Sequence, residues 1–471
     1  MYQIDFKKPI AIHFIGIGGI SMSGLAEILM REGFRVSGSD SHESELTDHL
    51  AAAGAKVMYG QAAANITDDI DLVVYTAAVH TDNPEYAEVV RRGIPMMPRA
   101  ELLGQIMKNY GEAIAISGTH GKTTTTSMVT EILLAAEKDP TISVGGILHS
   151  IGGNIRVGGP ELFVTEACEY TNSFLSFFPN REVILNIEAD HLDFFKDIDD
   201  IRHSFRLFAQ KLPKDGLLVI NTDIDRYEEI VDGLECRIVT CGKRTDSNYR
   251  AEDITYDHFA RAAFRLMIDG QDAGEITLGV PGEHNVYNAL AAAAVTLWVG
   301  VPAEKLQHAL EHLKINGRME IVYTSEKCCV IVDYAHNAVS MESLLATLRE
   351  YHPKRLVVVF GCGGNRSKDR RYSMGEIGGR MADLSIITAD NSRFEKVEDI
   401  IADIRGSIEK TGGKFIEIPD RKEAITYSIT HAEPGDMIAI IGKGHEDYQE
   451  INGVRYPFLD RAVVEEVVKN L

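Results

Sequence analysis

Residues 113–126 read AIAISGTHGKTTTT, an apolar run that ends in a glycine-containing turn and continues into a threonine-rich segment. In a strand, turn and helix of this kind, the backbone N–H groups of Gly118 to Lys122 can cradle phosphates. Lys122 can reach the β- and γ-phosphate oxygens, and Thr123 can ligate Mg²⁺. Ile116 stands where the standard P-loop has its first glycine, so a turn without a ligand is the alternative. The strand context favours an ATP site formed by Gly118, Thr119, His120, Gly121, Lys122, Thr123 and Thr124.

Apolar runs with the length of buried strands recur along the whole chain. They alternate with helix-length segments such as 23–32 and 340–350, which predicts α/β units built on parallel sheets. Residues 249–285 contain strand-like stretches between glycine turns, which predicts a small antiparallel sheet besides the parallel one. The apolar runs span residues 10–17, 72–75, 113–116, 183–187, 330–332, 356–360, 384–388 and 437–441.

The chain length predicts several domains. At roughly 150 residues per domain, 471 residues correspond to about three. A strand that runs into a glycine-rich or polar turn opens near residues 10, 113 and 330. We therefore expect boundaries near residues 108 and 317, which divide the chain into domains 1–108, 109–317 and 318–471.

Composition narrows the class of protein. Hydrophobic residues make up 45% of the chain and charged residues 25%, which is typical of globular proteins. A formal net charge of −22 disfavours nucleic acid as a partner, and no apolar stretch approaches the ~20 residues that membrane insertion needs. The six cysteines form neither C-x-x-C pairs nor a dense scaffold, so zinc is not expected. With an N-terminus that reads as a strand, these features predict a cytoplasmic protein.

A second glycine-rich turn follows the first apolar run. Residues 13–24 read HFIGIGGISMSG and precede a helix and a strand that ends at Asp40. Glycines here would let a diphosphate approach backbone N–H groups, while Asp40 could accept from a ribose hydroxyl. Ser21 replaces the third glycine of the dinucleotide fingerprint, so a tight turn without a ligand is the alternative. The site residues predicted for a nucleotide diphosphate are Gly16, Gly18, Gly19, Ser21 and Asp40.

Two acidic clusters follow strands downstream of the P-loop. Residues 166–169 read EACE, and residues 186–193 read NIEADHLD. Carboxylates at the carboxyl ends of strands beside a phosphate loop can hold the Mg²⁺ that bridges nucleotide oxygens, and His191 could join them. Loop solvation and helix capping are the alternative. Both clusters are therefore candidate Mg²⁺-binding segments beside Thr123.

An ordered set of motifs identifies a resemblance that covers almost the whole chain. The chain resembles the Mur ligases, ATP-dependent enzymes that add amino acids to UDP-N-acetylmuramate. The family implies a Rossmann-like N-terminal domain for the UDP-sugar, a central ATPase domain and a Rossmann-like C-terminal domain for the amino acid. The motifs are GTHGKTT at 118–124, Glu166, NIEADH at 186–191, GEHN at 282–285 with Asn288, GRME at 317–320 and DYAHN at 333–337.

The resemblance implies roles for individual residues. Lys122, His191 and Arg318 would be catalytic, with Arg318 reaching the terminal phosphate across a domain junction. His284, Asn285 and Asn288 would lie at the adenine, where helix capping is otherwise the default explanation. Asp333 would hold the ribose or orient Arg318. The metal-site residues would be Thr123, Glu166 and His191. Gly317 would be a hinge.

The two ends of the chain resemble different members of the family. The turn at 13–24, with TNSFL at 171–175, is similar to the members that join L-alanine to UDP-N-acetylmuramate. FGCGGNR at 360–366, DNSR at 390–393 and GKGHE at 442–446 are similar to the members that add diaminopimelate or lysine to the dipeptide form. Ser392 stands where those members have proline, so a salt-bridged surface arginine is an alternative for Arg393. The candidate amino-acid-binding residues are His336, Arg366, Asn391, Arg393 and Glu446.

The function expected from these features is amide ligation through an acyl phosphate, with ATP and Mg²⁺ and most simply with L-alanine. The partners would be UDP-N-acetylmuramate and a free amino acid, and the protein would be a monomer or homodimer. An oxidoreductase that binds a dinucleotide at residues 13–24 is a competing class, although the P-loop argues against it. A non-catalytic nucleotide-binding relative is a third class, disfavoured by the joint presence of Lys122, Glu166, His191 and Arg318.

Overall fold

The computed structural model describes residues 2–470 except residues 77, 152, 193, 258–260, 314–318 and 367. Within these residues, sheets of five, ten and six strands follow one another along the chain, with a two-stranded hairpin near the end. This succession confirms the predicted α/β class. The boundaries near residues 108 and 317 stay predictions. No helix in the described part of the chain is long and apolar enough to cross a membrane.

The first sheet is parallel throughout and contains five strands, with helices between them. Its elements are β1 (Ala11–Ile15), α1 (Ile20–Arg31), β2 (Arg35–Asp40), α2 (Glu45–Ala52), β3 (Lys56–Tyr59), β4 (Leu72–Tyr75), α3 (Pro84–Arg92), β5 (Met96–Pro98) and α4 (Arg99–Met107), with a 3-10 turn at Ala63–Asn65. The strand order is β3-β2-β1-β4-β5. The order reverses at β1, and the carboxyl end at such a switch point is where α/β sheets bind ligands.

The second sheet contains ten strands and follows α4. Its elements are β6 (Glu112–Ser117), α5 (Lys122–Ala135), β7 (Thr141–Leu148), β8 (Gly153–Arg156), β9 (Leu162–Ala167), β10 (Arg181–Ile184), α6 (Ile198–Ala209), β11 (Leu217–Asn221), α7 (Tyr227–Val231), β12 (Arg237–Cys241), β13 (Tyr249–Tyr256), β14 (Arg261–Ile268), β15 (Gln271–Pro281), α8 (His284–Trp298) and α9 (Glu304–Glu311), with 3-10 turns at His149–Ile151 and Tyr170–Ser176. The strand order is β15-β14-β13-β12-β11-β10-β6-β9-β7-β8.

The antiparallel strands predicted for residues 249–285 are present. β13, β14 and β15 pair antiparallel with one another. They extend the parallel part of the second sheet, to which they are joined by the pair of Cys241 with Tyr249. β6, β9 and β10 are neighbours in the parallel part. The P-loop and both acidic clusters therefore emerge from one edge of one sheet.

The third sheet contains six strands. Its elements are β16 (Glu320–Thr324), β17 (Cys328–Asp333), α10 (Ala338–Glu350), β18 (Arg355–Phe360), α11 (Asp369–Met381), β19 (Leu384–Ile387), α12 (Val397–Thr411), β20 (Phe415–Glu417), α13 (Arg421–Thr430), β21 (Asp436–Ile441) and α14 (Asp460–Lys469), with a hairpin of β22 (Tyr448–Ile451) and β23 (Val454–Pro457). The strand order is β16-β17-β21-β18-β19-β20, in which β16 alone runs antiparallel to its neighbour.

The apolar runs form strands because both faces of each sheet are covered. In β6, Ala113 and Ala115 pack into one hydrophobic core, whereas Ile114 and Ile116 pack into a second core on the opposite face. Successive side chains of a strand point to opposite faces, so a strand that is buried on both faces is apolar at every position. This arrangement explains why the run at 113–116 shows no alternation of polar and apolar residues.

A buried polar network connects β1, β2 and α3 beneath the glycine turn of the first domain. Glu85 is fully buried and accepts hydrogen bonds from Ser39 Oγ at 2.6 Å and Asn65 Nδ2 at 2.5 Å. His13 Nε2 lies 3.4 Å from Glu85 Oε2, and His13 Nδ1 lies 3.0 Å from the Ser37 hydroxyl. Burial by itself would raise the pKa of Glu85, but the hydrogen bonds from His13, Ser39 and Asn65 outweigh it and hold the pKa below its ordinary value.

Replacing Glu85 with alanine is expected to lower the free energy of unfolding by roughly 3 kcal/mol at neutral pH, because several buried donors lose their acceptor. The pKa of Glu85 is lower in the folded state, so its contribution is complete above the unfolded-state pKa and is lost as the pH falls through the folded-state pKa. Urea unfolding at pH 7 and at acidic pH measures both effects. Glu43→Ala, at an exposed position, is the control. Equal unfolding midpoints for Glu85→Ala and wild type would contradict the prediction.

Candidate active site

A cavity of about 880 Å³ lies at the carboxyl ends of β6, β9 and β10, between residues of the second and third domains. Most of the residues predicted to bind ATP and metal line this cavity. From the second domain it is lined by Thr119, His120, Gly121, Lys122, Thr123, Thr124, Glu166, His191, His284, Asn285 and Asn288, and from the third by Asp333 and His336. Gly118 is not among the lining residues and directly precedes them in the loop between β6 and α5.

The P-loop needs glycine at both of its bends. Gly118 has φ +138° and Gly121 has φ +82°, a region that residues with side chains rarely adopt. A Cβ atom at Gly121 would lie 2.7 Å from the Asn288 Oδ1 atom, and one at Gly118 would lie 3.0 Å from the Leu185 Cβ atom. The loop therefore packs closely against β10 and α8, with the N-terminus of α5 directed at the cavity.

Asn186 holds the P-loop in place from the end of β10. Its backbone carbonyl accepts a hydrogen bond from Thr119 N at 3.2 Å. Its side chain accepts from His120 N at 2.8 Å and donates to the His120 carbonyl at 3.0 Å. Sequence reasoning placed Asn186 in an acidic cluster but gave it no role. The signal was its position directly after a strand beside the P-loop.

Lys122 is held by its own loop and by one buried carboxylate. The Nζ atom donates to the carbonyls of Gly118 at 2.5 Å and Thr119 at 3.1 Å, and it lies 2.9 Å from Glu169 Oε2. The Glu169 side chain is only 2% exposed, and its Oε1 atom has no hydrogen-bond partner in the described part of the chain. Sequence reasoning missed Glu169 as a functional residue, because the EACE cluster offers two carboxylates and only the geometry separates them.

Oxygen donors suited to Mg²⁺ meet beside Lys122. Thr123 Oγ1 lies 3.2 Å from Glu166 Oε2, and Glu166 Oε1 accepts from Gly145 N at 2.6 Å. Mg²⁺ prefers hard oxygen ligands and is commonly bound by one or two protein groups together with substrate phosphates. Among the described residues, no group of three or more His, Cys, Asp or Glu side chains could hold a metal by itself. The donors present therefore fit a cation that arrives with a nucleotide.

His191 lies beside this set. Its φ is +53°, and its Nε2 atom is 3.8 Å from Glu169 Oε1. Its ring lies 4.5 Å from the ring of Tyr170, measured between centroids. These contacts direct the imidazole into the cavity, where it could ligate a metal or bind a substrate. Its predicted catalytic and metal roles stay predictions.

The residues predicted at the adenine lie at the start of α8. Asn285 and Asn288 are buried; Asn285 Nδ2 donates to the Pro281 carbonyl at 2.6 Å, and Asn288 Nδ2 donates to Asn285 Oδ1 at 2.8 Å. Neither bond caps the helix, because both amides act as donors and, in the described part of the chain, no side chain caps the first N–H groups of α8. Desolvation among the cavity walls, helped by the nearby His120, lowers the pKa of His284 to about 4.

We expect His284 to remain neutral between about pH 5 and pH 8, because its pKa is lowered rather than raised. The unfolded chain would take up a proton on this histidine at a higher pH, so acid favours unfolding through this group. NMR titration of the histidine ring resonances measures the pKa, with the His284→Gln variant used for assignment. A midpoint at the ordinary histidine value would contradict the prediction.

Asp333 and His336 bring the third domain to the cavity. Asp333 accepts from Met319 N at 2.7 Å and from Ala335 N at 2.7 Å, so it fixes the backbone next to residues 314–318. Arg318 and the hinge predicted at Gly317 lie outside the described residues, and both stay predictions. His336 Nδ1 lies 3.0 Å from the Tyr334 carbonyl, which orients the ring along the cavity wall.

The other candidate amino-acid-binding residues form a separate cluster and do not line this cavity. The buried Lys443 lies 3.0 Å from Glu446 Oε2 and 3.2 Å from Asn391 Oδ1. Arg393 donates to the Gly364 carbonyl at 2.8 Å and lies 3.5 Å from Glu450 Oε2. A salt bridge of Arg393 with Glu450 is thus present, and the amino-acid-binding role predicted for Arg393 stays a prediction. Arg366 is exposed.

The turn predicted for the nucleotide diphosphate lies at the switch point of the first sheet. Gly16 N donates to the Ser39 carbonyl at 2.8 Å, and Gly18 N donates to Asp40 Oδ2 at 2.8 Å. Gly19 is the N-cap of α1, and Ser21 lies in its first turn. Asp40 thus fixes the turn in this structure, and its contact with a ribose stays a prediction. Sequence reasoning missed Arg99, whose Nη1 donates to Ser21 Oγ at 3.1 Å.

Comparison with known proteins agrees with this arrangement. The chain matches the models "Mur ligase family, catalytic domain" over residues 11–111, "Mur ligase middle domain" over residues 116–296 and "Mur ligase, glutamate ligase domain" over residues 317–444.

Individual relatives match over most of their length. The UDP-N-acetylmuramate--L-alanine ligase of Lachnospira eligens is 50% identical over 94% of this chain and 98% of its own. The ligase of the same name from Agathobacter rectalis is 57% identical over 76% of this chain and 79% of its own. A crystal structure of UDP-N-acetylmuramate-alanine ligase MurC from Thermotoga maritima has 26% identity and a TM-score of 0.73, and the match covers 98% of this chain and 99% of that one. The predicted resemblance is confirmed, and the chain belongs to the Mur ligase family.

Proposed function

We propose that this protein is an ATP-dependent ligase that joins L-alanine to the lactyl carboxylate of UDP-N-acetylmuramate and releases ADP and phosphate. One observation carries the proposal: the P-loop with Lys122, the oxygen donors Thr123 and Glu166, and His336 of the third domain line a single cavity. The names of the relatives from Lachnospira eligens and Agathobacter rectalis support the choice of acceptor and amino acid. The single-subunit or homodimeric state and the cytoplasmic location stay predictions.

In the first step, a carboxylate oxygen of the sugar nucleotide attacks the γ-phosphorus of ATP, and the bond from that phosphorus to the ADP oxygen breaks. For such a transfer the protein has to align the two substrates and neutralise the phosphate charge, and it needs no nucleophilic side chain. The backbone N–H groups at the start of α5 and the ammonium group of Lys122 supply positive charge at the phosphates. Arg318 would add a further charge, as the family resemblance implies.

Mg²⁺ would be held by the neighbouring oxygen donors of Thr123 and Glu166, and it would neutralise phosphate charge when bound.

In the second step, the amino group of alanine attacks the carbonyl carbon of the acyl phosphate, phosphate leaves and the nitrogen loses a proton. His191 and His336 both line the cavity and are the candidates for accepting that proton. The cavity is formed between two domains, which would help to exclude the water that hydrolyses an acyl phosphate. A metal-binding role for His191 and a hydrogen-bonding role for His336 are equally compatible with their positions.

The alternative substrate pair is the dipeptide form of the nucleotide sugar with diaminopimelate or lysine. The third domain carries the motifs of that subfamily, but their charged side chains pair with one another. Glu446 lies beside Lys443, and Arg393 lies beside Glu450. The charged side chain of a diamino acid would have to displace these partners, whereas the side chain of alanine is uncharged. The pairing therefore supports alanine.

Phosphate release with ATP and Mg²⁺ tests the proposal directly. One arm supplies UDP-N-acetylmuramate with single amino acids, and the other supplies UDP-N-acetylmuramoyl-dipeptide with diaminopimelate or lysine. We expect turnover in the first arm with L-alanine and little in the second. Turnover confined to the dipeptide arm would replace the proposed substrates, and phosphate release independent of any sugar nucleotide would refute the ligase reaction.

A further inference from the structure

Glu169 is a buried carboxylate whose two oxygens face two different residues of the cavity. Its side chain is only 2% exposed. The Oε2 atom lies 2.9 Å from the Nζ atom of Lys122, whereas the Oε1 atom lies 3.8 Å from the Nε2 atom of His191. The carboxylate therefore stands between the lysine of the P-loop and the imidazole of the loop that follows β10.

The oxygen that faces His191 accepts no hydrogen bond in the described part of the chain, although it is buried. A buried polar atom without a hydrogen bond is costly, and proteins contain few of them. Its separation of 3.8 Å from His191 Nε2 exceeds the roughly 2.7–3.2 Å of an N–H···O hydrogen bond. Catalytic hydrogen bonds are often long until the substrates bind, and a movement of about 1 Å would form this one.

The other glutamate of the EACE cluster has different neighbours. Glu166 Oε2 lies 3.2 Å from Thr123 Oγ1, and Glu166 Oε1 accepts from Gly145 N at 2.6 Å. Both oxygens of Glu166 are thus occupied on the Thr123 side of the cavity. The two glutamates therefore differ in what they can position, and Glu169 is the one placed between Lys122 and His191.

Further contacts limit how the His191 imidazole can turn. The Tyr170 ring packs against it at an interplanar angle of 31°. His191 N donates to Asp190 Oδ1 at 2.7 Å, and Asp190 Oδ2 lies 3.9 Å from His191 Nε2. The Asp190 side chain is 23% exposed, so water weakens its attraction for the ring more than it weakens that of the buried Glu169. Glu169 is therefore the stronger acceptor for this nitrogen.

We propose that Glu169 is a positioning residue that acts through His191 while it also holds Lys122. Once the substrates are bound, its Oε1 atom accepts a hydrogen bond from the Nε2–H group of His191, and this bond fixes the imidazole. The lone pair of the other ring nitrogen, Nδ1, is then available to a metal or to an amine. This inference rests on the proposed function, in which His191 binds a metal or accepts a proton, and both roles need a fixed ring.

The kinetics of Glu169→Gln test the proposal. The amide keeps an oxygen that can accept from Lys122, but an NH₂ group replaces the acceptor that faces His191. We expect kcat to fall roughly tenfold to a hundredfold, the usual effect of losing the orienting partner of such a histidine. The KM values for ATP and UDP-N-acetylmuramate should rise by no more than about twofold, because the changed group touches neither substrate. Glu275→Gln makes the same change in charge at an exposed position of β15 and should behave as wild type does.

A double-mutant cycle with His191→Asn shows whether Glu169 acts through the imidazole. Single-turnover assays at high enzyme concentration make the slow variants measurable. In the His191→Asn background, Glu169→Gln should lower the rate by at most about twofold, because the group that it positions is gone. Glu169→Asp keeps the buried charge but withdraws the carboxylate by one methylene, and it replaces Glu169→Gln in the cycle if that variant does not fold.

Two results would overturn this inference alone. One is a wild-type kcat in the Glu169 variant, whatever its KM values, and the other is an equal loss of rate in the wild-type and His191→Asn backgrounds. A wild-type enzyme that releases no phosphate with ATP, Mg²⁺, UDP-N-acetylmuramate and L-alanine would instead overturn the proposed function.

Discussion

Replacing Lys122 with alanine is expected to lower ligase turnover by roughly a thousandfold or more, an effect typical of losing a preorganised charge at a transferring phosphoryl group. The Lys122 ammonium lies at the P-loop, where the carbonyls of Gly118 and Thr119 direct it. Alanine would leave the loop without a side-chain cation beside the phosphates. Phosphate release under saturating ATP, Mg²⁺, UDP-N-acetylmuramate and L-alanine measures the loss.

Lys138→Ala is the control for Lys122→Ala. Lys138 is exposed shortly after the end of α5, so its replacement makes the same change in net charge away from the cavity. We expect that variant to turn over as wild type does. Thermal unfolding of both variants shows whether the fold is retained. Wild-type-like turnover by a folded Lys122→Ala protein would refute the role proposed for this lysine.

Replacing Asp460 with alanine is expected to destabilise the third domain by roughly 3–5 kcal/mol, the usual effect of removing one partner of a buried ion pair. Arg421 and Asp460 are both fully buried and join α13 to α14 through two hydrogen bonds of 2.7 Å. Arg421 also donates to the carbonyls of Ala389 and Ile441. Without Asp460, its charge would remain buried with only neutral acceptors. Denaturant unfolding followed by circular dichroism measures the change.

A matched pair on the same two helices provides the control. Lys422 and Glu466 also join α13 to α14, with Nζ–Oε distances of 2.8 Å, but their side chains are 51% and 56% exposed. Glu466→Ala should therefore cost at most about 1 kcal/mol. Equal losses for Asp460→Ala and Glu466→Ala would show that burial of the first pair has no special weight.

Most of the fold was predictable because the strands are covered on both faces. Continuous apolar runs such as residues 113–116 and 356–360 have few other stable environments in an α/β protein, and each forms a strand at the expected place. The antiparallel extension at β13 to β15 followed from glycine turns at short intervals. The order of the strands was not readable from the chain, because it depends on pairings between segments far apart in sequence.

The site residues also differ in how far they could be predicted, according to whether their partners are near or distant in sequence. The P-loop could be predicted because its function depends on neighbouring residues, with Gly118, Gly121 and Lys122 within one turn. Arg99 and Ser21 are 78 positions apart and meet only in the folded chain. Glu169 could not be distinguished from Glu166, because only their geometry shows that one is buried against Lys122 and the other is close to Thr123. The charged motifs of the third domain were recognisable, but their mutual pairing was not.

The buried carboxylate of Glu169 is a counter-charge for Lys122 when no nucleotide is bound. In the resting protein the lysine is already neutralised at 2.9 Å, so the cavity need not recruit an anion from solution. Any bound nucleotide would compete with this carboxylate for one ammonium group, so separating the ion pair lowers the net free energy of nucleotide binding.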